Sequence, residues 1–393
     1  MQFSDKITPV KPSAIREIFK VLGDPSIISL AGGNPDPETF PVEEFNRLSA
    51  SLFSENGKQA LQYGVTEGYL PLREKIARRL KEKFDIGRDF DRTIVVTGGQ
   101  QGIDLSCKIL CNEGDVVLCE DPSFIGALNA FRAYNTHLVG IPVDDDGMRI
   151  DALERALKTE KNVKLIYTIP TFQNPTGVCM SLSRRRALYE LAKQYGVTIL
   201  EDNPYGELRF RGEEIPTIKS MDTEGIVIYC GSFSKILSPG MRLGFVCATE
   251  EIVGKIVVAK QVNDVHSNLF FQMLTNAYLE QYDLDGHIAR IRALYRKKCA
   301  CMRRAAEEFL PQTVSVTDPA GGIFLWCRLP EGNDSQEFSS RLLKKNIAVV
   351  PGTAFSPSEG PSCGIRLNYS MPTEEQIEKA MEIIGRELRE ISL

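Results

Sequence analysis

From about residue 93 to 245, short apolar runs rich in Val, Ile and Leu alternate with segments of helical period. TIVVT (93–97) precedes the helix-like QQGIDLSCKILC, DVVLCE (115–120) precedes FIGALNAFRAY, and VKLIYTI (163–169) precedes SRRRALYELAKQYG. VTILED (197–202), GIVIYCGSF (225–233) and RLGFVCA (242–248) follow. Apolar strands spaced by amphipathic helices predict an α/β fold whose sheet is mostly parallel, with helices on both faces. Ligands of such sheets gather at the carboxyl ends of the strands, where Gly99, Asp202 and Ser232 fall. Beyond residue 285, GHIARIRALYRKKCACMRRAAEEFL predicts a long amphipathic helix with a solvated basic face. GGIFLWCRL (321–329), the helix-like SQEFSSRLLKKN, IAVVPG, GIRLNYS and a terminal helix from about 373 predict a smaller α+β domain. The division read from this pattern is 1–45, joining the small domain, then 46–285 as the large domain and 286–393 as the small one.

Composition narrows the class. A chain of 393 residues with 42% hydrophobic and 25% charged positions is ordinary for a folded protein of about two domains. A net charge of -5 argues against a general nucleic-acid binder, which needs a basic surface. No apolar run approaches the roughly 20 residues of a membrane span, and MQFSDKITPVKPS has no signal-like core. The ten cysteines are scattered without CxxC pairs, as expected of buried or half-buried free thiols in a reducing cytoplasm. The three histidines (His137, His266, His287) have no ligand-like spacing, so no metal site is expected.

Four stretches carry candidate chemistry. TGGQQG (97–102) joins a strand to a helix, where free N–H groups and the helix dipole favour phosphate, although glycine turns before helices are common. YTIPTFQNPTG (167–177) sets Asn174 between prolines, either as a plain turn or as an amide aimed at a ligand oxygen. EDNPYGEL (201–208) ends an apolar strand with two carboxylates, followed by Tyr205; a carboxylate there needs a cationic partner or a specific task. GSFSKILSPGMR (231–242) puts Lys235 just beyond a strand end, where burial leaves a neutral amine able to add to an aldehyde. Ser232, Ser234 and Arg242 around it suit a phosphate. Together they offer a phosphate cup, an amine, an acid for a ring nitrogen and donors for a phenolic oxygen, the set required by pyridoxal 5'-phosphate.

With these motifs in order, the chain resembles the class I/II aminotransferases, the fold-type I pyridoxal-phosphate enzymes, and within them the 2-aminoadipate/kynurenine aminotransferase-like branch. The resemblance runs from PSAIREIFK through IISLAGGNPDPETFP, LQYGVTEGYLPLRE, NPTG, EDNPYGEL and SFSK to GIRLNYS. It implies that Lys235 bonds the cofactor aldehyde and shuttles the substrate proton, that Asp202 keeps the pyridine nitrogen protonated, and that Asn174 and Tyr205 bond its phenolic oxygen. Gly99, Gln100, Ser232, Ser234 and Arg242 would hold the phosphate, joined by Tyr63 from the neighbouring subunit of a homodimer. Arg366 would clamp the substrate α-carboxylate, with Gly33 and Asn174 lining the substrate site. Arg16 matches a mobile arginine that contacts the substrate side chain, and is read equally well as a solvated arginine on an amphipathic helix. Phe124 stands where this branch usually has a tyrosine stacked on the cofactor, and Gly99 where it often has serine.

The implied activity is transfer of an amino group from an L-amino acid (2-aminoadipate, glutamate, aromatic or branched-chain) to a 2-oxo acid such as 2-oxoglutarate. The rival readings are another reaction of the same cofactor, β-elimination or decarboxylation, and an effector-binding transcriptional regulator with this fold. The fold-like pattern starts around PSAIREIF, which leaves no expected room for a DNA-binding region ahead of it.

Overall fold

The computed structural model describes residues 3–4, 6–8, 10 and 24–391. Eight strands form the large sheet, in spatial order Asp91–Val96, Gly244–Thr249, Val227–Ser232, Thr198–Asp202, Val163–Thr168, Val116–Asp121, His137–Asp144 and Gly147–Met148. The five central strands from Val227–Ser232 to His137–Asp144 are parallel. Gly244–Thr249 runs antiparallel to both neighbours. The connection 233–243 is a tight irregular turn with no crossover helix, so the chain can only double back.

Strand parity divides the core. Val117, Leu165, Leu200 and Ile228 face one helical layer, while Leu118, Ile166, Ile199 and Val227 face the other. Burial on both faces is why these runs read as continuously apolar. Two elements fall outside the expected alternation: the strand His137–Asp144, broken in pattern by Gly140 and Pro142, and the helix Ile150–Thr159.

The second sheet is antiparallel, ordered Ser315–Val316, Phe324–Arg328, Gly364–Asn368 and Val350–Pro351. The helix Leu284–Phe309 packs on the terminal helix Glu374–Ile391. IAVVPG, expected as one strand, is split. Ile347–Ala348 pairs in parallel with Ile28–Ser29 of the N-terminal segment, and Val350–Pro351 pairs with the strand carrying Arg366. The N-terminal segment thereby becomes part of the small unit, and the buried Lys298 ammonium, donating to the Asp36 carboxylate, pins it further. The expected bounds at 45 and 285 fall inside the helices Val42–Ala60 and Leu284–Phe309. The ten cysteines are free; one departs from expectation, since Cys363 is exposed at the end of the loop before Gly364. No described helix is long and apolar enough to cross a membrane.

Candidate active site

The carboxyl ends of the parallel strands open into a cavity of about 430 Å³. At one end the helix Gly99–Leu110 begins, presenting N–H groups that have no carbonyl one turn back. Its start lies unusually near the sheet because two positions lack a side chain. A Cβ on Gly98 would lie 2.4 Å from the Arg242 guanidinium, and one on Gly102 would lie 2.6 Å from Cys230 Sγ. Gly98 also has φ 76 and ψ 167, a region open essentially to glycine. Arg242, itself left-handed at φ 54, sends Nη2 toward Thr97 O (3.4 Å) across that turn. Ser232 and Ser234 complete this end, their hydroxyls 2.9 Å apart. The group is a concentration of donors around positive charge, suited to a phosphate.

Lys235 is half-buried at the centre, its Nζ donating to Gly33 O at 2.6 Å. Burial, with the nearby charges of Arg366 and Arg242, pulls its amine down to about 8. Asp202 is buried on the cavity floor and accepts a hydrogen bond from Tyr167 Oη at 2.9 Å. Burial pushes its carboxyl up to about 7 against that hydrogen bond, and the charge of Glu120 adds to the rise. Among the described residues no cation pairs with this carboxylate, and a protonated ring nitrogen would supply one.

Arg366 occupies the other end. It is buried, donates to Asn174 Oδ1 (2.9 Å) and Ala31 O (2.7 Å), and lies 4.1 Å over the Phe324 ring and 5.0 Å from that of Phe355. Burial lowers the guanidinium to about 10, and its Nε finds no hydrogen-bond partner among the described residues. A buried guanidinium with one donor unused and, among the described residues, no carboxylate paired with it is a ready receptor for an acid. Asn174 turns its other amide atom to Tyr205 Oη at 3.4 Å, and burial raises that phenol.

Of the residues singled out from sequence, Gly33, Gly99, Gln100, Phe124, Asn174, Asp202, Tyr205, Ser232, Ser234, Lys235, Arg242 and Arg366 all line this one cavity. Gln100 reaches it with its side chain tied to Gly126 O (2.8 Å), so the backbone is what it offers the cup. Tyr63 does not line it; its ring is 80% exposed on the surface, edge-on to His266. Arg16 lies outside the described residues. Sequence reasoning missed Tyr167 and Glu120. Strand parity was the available signal for the first, since Tyr167 pairs with Leu200 and so shares a face with Asp202.

The residue set fits pyridoxal phosphate: donors for phosphate, an amine with depressed basicity, a carboxylate without its cation, and the Phe124 ring beside them. The class I and II aminotransferase family model matches residues 25–384. The chain is 43% identical to aromatic-amino-acid aminotransferase 1 of Thermococcus litoralis, over 99% of this chain and 94% of that protein. It superposes with a TM-score of 0.95 and 40% identity on the kynurenine aminotransferase of Pyrococcus horikoshii, solved with PMP, covering 99% of this chain and 97% of that one. On the α-aminoadipate aminotransferase of Thermus thermophilus, solved with N-(5'-phosphopyridoxyl)-L-leucine, the TM-score is 0.91 at 37% identity, covering 99% and 98%. A family match over most of the chain and a curated relative of this similarity agree with the geometry: the chain belongs to the class I and II aminotransferases, enzymes that work with pyridoxal phosphate.

Proposed function

We propose that this pyridoxal-phosphate-dependent aminotransferase takes its nitrogen chiefly from amino acids with large apolar or aromatic side chains and passes it to 2-oxoglutarate. The observation that carries the reading is the convergence of Lys235, Asp202 and the buried Arg366 on one cavity with the phosphate-suited turn. When bound, the cofactor supplies an electron sink for the bond at the substrate Cα. In our reading Lys235 would be the amine that holds the cofactor and the base that moves the substrate Cα proton. Asp202 would keep the ring nitrogen protonated, and Asn174 and Tyr205 would serve the phenolic oxygen. Gly99, Gln100, Ser232, Ser234 and Arg242 would hold the phosphate, Phe124 would lie against the ring, and Arg366 would receive the substrate α-carboxylate beside Gly33.

The wall includes Ile103, Phe124 and Ile169, which favours an apolar side chain. Among the described lining residues the cations are Lys235, Arg242 and Arg366, each with a role above. A donor with a second carboxylate, such as 2-aminoadipate or glutamate, therefore depends on Arg16. We further propose a homodimer in which Tyr63 reaches the partner's phosphate, supported by exposed Val42, Phe53, Leu61, Tyr63, Val65, Val262 and Val265. The described N-terminal segment from residue 24 to 41 joins the small domain, which runs on from Leu284, and the cofactor domain lies between them, in a cytoplasmic enzyme whose free thiols suit a reducing compartment.

Lys235→Ala should abolish transamination and the visible absorbance of covalently held cofactor; normal turnover in that variant would sink the assignment. A panel of aromatic, branched-chain and acidic donors with 2-oxoglutarate tests the specificity. Aromatic donors should lead in kcat/KM, and Arg16→Gln should weaken only the acidic ones. Release of pyruvate and ammonia in place of amino transfer would point to β-elimination.

A further inference from the structure

Glu120, at the carboxyl end of the strand Val116–Asp121, is a buried carboxylate that the chemistry above does not use. Leaving a carboxylate uncompensated at such a site is costly. Among the described residues it has no cationic partner; it accepts hydrogen bonds from Thr168 Oγ1 (2.6 Å), the Ile169 N–H (3.1 Å) and Gln173 Nε2 (3.1 Å). Gln173 passes the constraint on. Its Nε2 also donates to Pro122 O (2.8 Å), and its Oε1 accepts from both the N–H and hydroxyl of Thr176 (2.9 and 2.7 Å). Gln173 and Thr176 bracket Asn174, whose Oδ1 receives Arg366 Nη1. Glu120, Thr168, Gln173, Asn174, Thr176 and Arg366 are all buried, so apart from the part-buried bond to Pro122 O these bonds are not shared with bulk water. From the other side Thr317 Oγ1 donates to Thr176 O (2.8 Å), so the turn is braced between the large sheet and the small domain.

We propose that Glu120 is a positioning residue for substrate: through Gln173 and Thr176 it fixes the turn around Asn174, and with it the Arg366 guanidinium that receives the substrate carboxylate. This rests on the reading of Arg366 as the carboxylate receptor. The phosphate end is built from other elements, the helix Gly99–Leu110 and residues 232–242, and the turn meets cofactor only through Asn174, so the loss should fall more heavily on substrate than on cofactor. Substitutions separate shape from charge. Glu120→Gln keeps the network, since its amide oxygen can accept from Ile169 and Gln173 while its NH2 donates to the Thr168 hydroxyl. Glu120→Ala removes the root, and Gln173→Ala cuts the link while leaving Glu120 in place.

The experiment measures KM and kcat for an aromatic donor, the Kd of the holoenzyme for an unreactive α-methyl amino acid, pyridoxal phosphate affinity of the cofactor-free protein, and thermal melting. Glu120→Ala and Gln173→Ala should raise KM and the α-methyl Kd about tenfold, with kcat within threefold and cofactor affinity reduced no more than about threefold. Glu120→Gln should stay within twofold of the wild type throughout. Three outcomes would overturn the proposal: cofactor affinity falling as far as substrate affinity, no change in KM or Kd, or Glu120→Gln failing as badly as Glu120→Ala. Should Glu120→Ala not fold, Gln173→Ala and Glu120→Gln decide by the same criteria. Arg366→Lys separates the two readings. If it leaves KM unchanged the receptor reading itself fails, whereas a raised KM there with a wild-type-like Gln173→Ala sinks the positioning alone.

Discussion

At Asp202 the cost of burial and the use of the site are the same physical fact. With its carboxyl held near pH 7 by burial, the folded cofactor-free protein retains a proton that the unfolded chain releases near its ordinary value of about 3.9. Stability of the cofactor-free protein should therefore fall as pH rises between about 4 and 7, by a term on the order of 4 kcal/mol for Asp202. Melting between pH 4 and 8 should show a shallower fall for Asp202→Asn; the slope does not vanish, because burial raises Glu120 as well. Saturating pyridoxal phosphate should remove the same part of the slope in the wild type, since a cation beside Asp202 returns it to the ionised form. The paired glycines differ in a way their letters hide. Gly98 combines its glycine-only conformation with the Arg242 contact, while a Cβ on Gly99 meets nothing closer than 3.8 Å. Gly98→Ala should cost about 1–3 kcal/mol in a melting assay and weaken cofactor binding. Gly99→Ser should fold normally and bind cofactor at least as tightly, its hydroxyl entering the cup. Lys235 and Asp202 were legible as a pair of unusual residues at strand ends; which atoms tune them was not, because Arg366 and Tyr167 come from other elements.

At the scale of elements, the seating of the helix Gly99–Leu110 decides whether its N-terminus can serve an anion. Gly102 packs directly on Cys230, and an alanine there meets Sγ at 2.6 Å. Overpacking of this kind typically costs 1–3 kcal/mol, on the order of tenfold in affinity for each 1.4 kcal/mol. Gly102→Ala should lower pyridoxal phosphate affinity by about tenfold in a spectral titration. Cys230→Ala in the same chain should restore most of it by vacating the contact; no recovery would mean that the helix seat is unrelated to binding. The elements themselves were readable where burial on both faces gives continuous apolar runs. They were not readable at the sheet edge, where His137–Asp144 is half-exposed and interrupted by Gly140 and Pro142. The antiparallel direction of Gly244–Thr249 also escaped notice, since a strand's apolar pattern is the same in either direction.

For the whole molecule, Tyr63 and Val262 are apolar side chains left exposed on the chain, the kind of surface a subunit contact would cover. Sedimentation should find a dimer, and Val262→Lys should shift it toward monomer. Mixing inactive Lys235→Ala chains with Tyr63→Ala chains tests the shared site directly. A mixed dimer has one intact site, formed by Lys235 of the Tyr63→Ala chain and Tyr63 of the other, so activity should exceed the sum of the parents. Strict additivity would place Tyr63 outside the neighbouring site. By itself the sequence determined the alternation of strands and helices, the small second unit and the residue types a phosphorylated aldehyde needs, because these follow from local period and side-chain chemistry. Only the tertiary structure decided that Arg366, carried by a strand far along the chain, meets Asn174, and that Gly33 meets Lys235. It alone also decided that Glu120 stands behind that turn, without a cation among the described residues. Those contacts depend on strand order, register and the return of the N-terminal segment to the small sheet, and no local pattern along the chain encodes them.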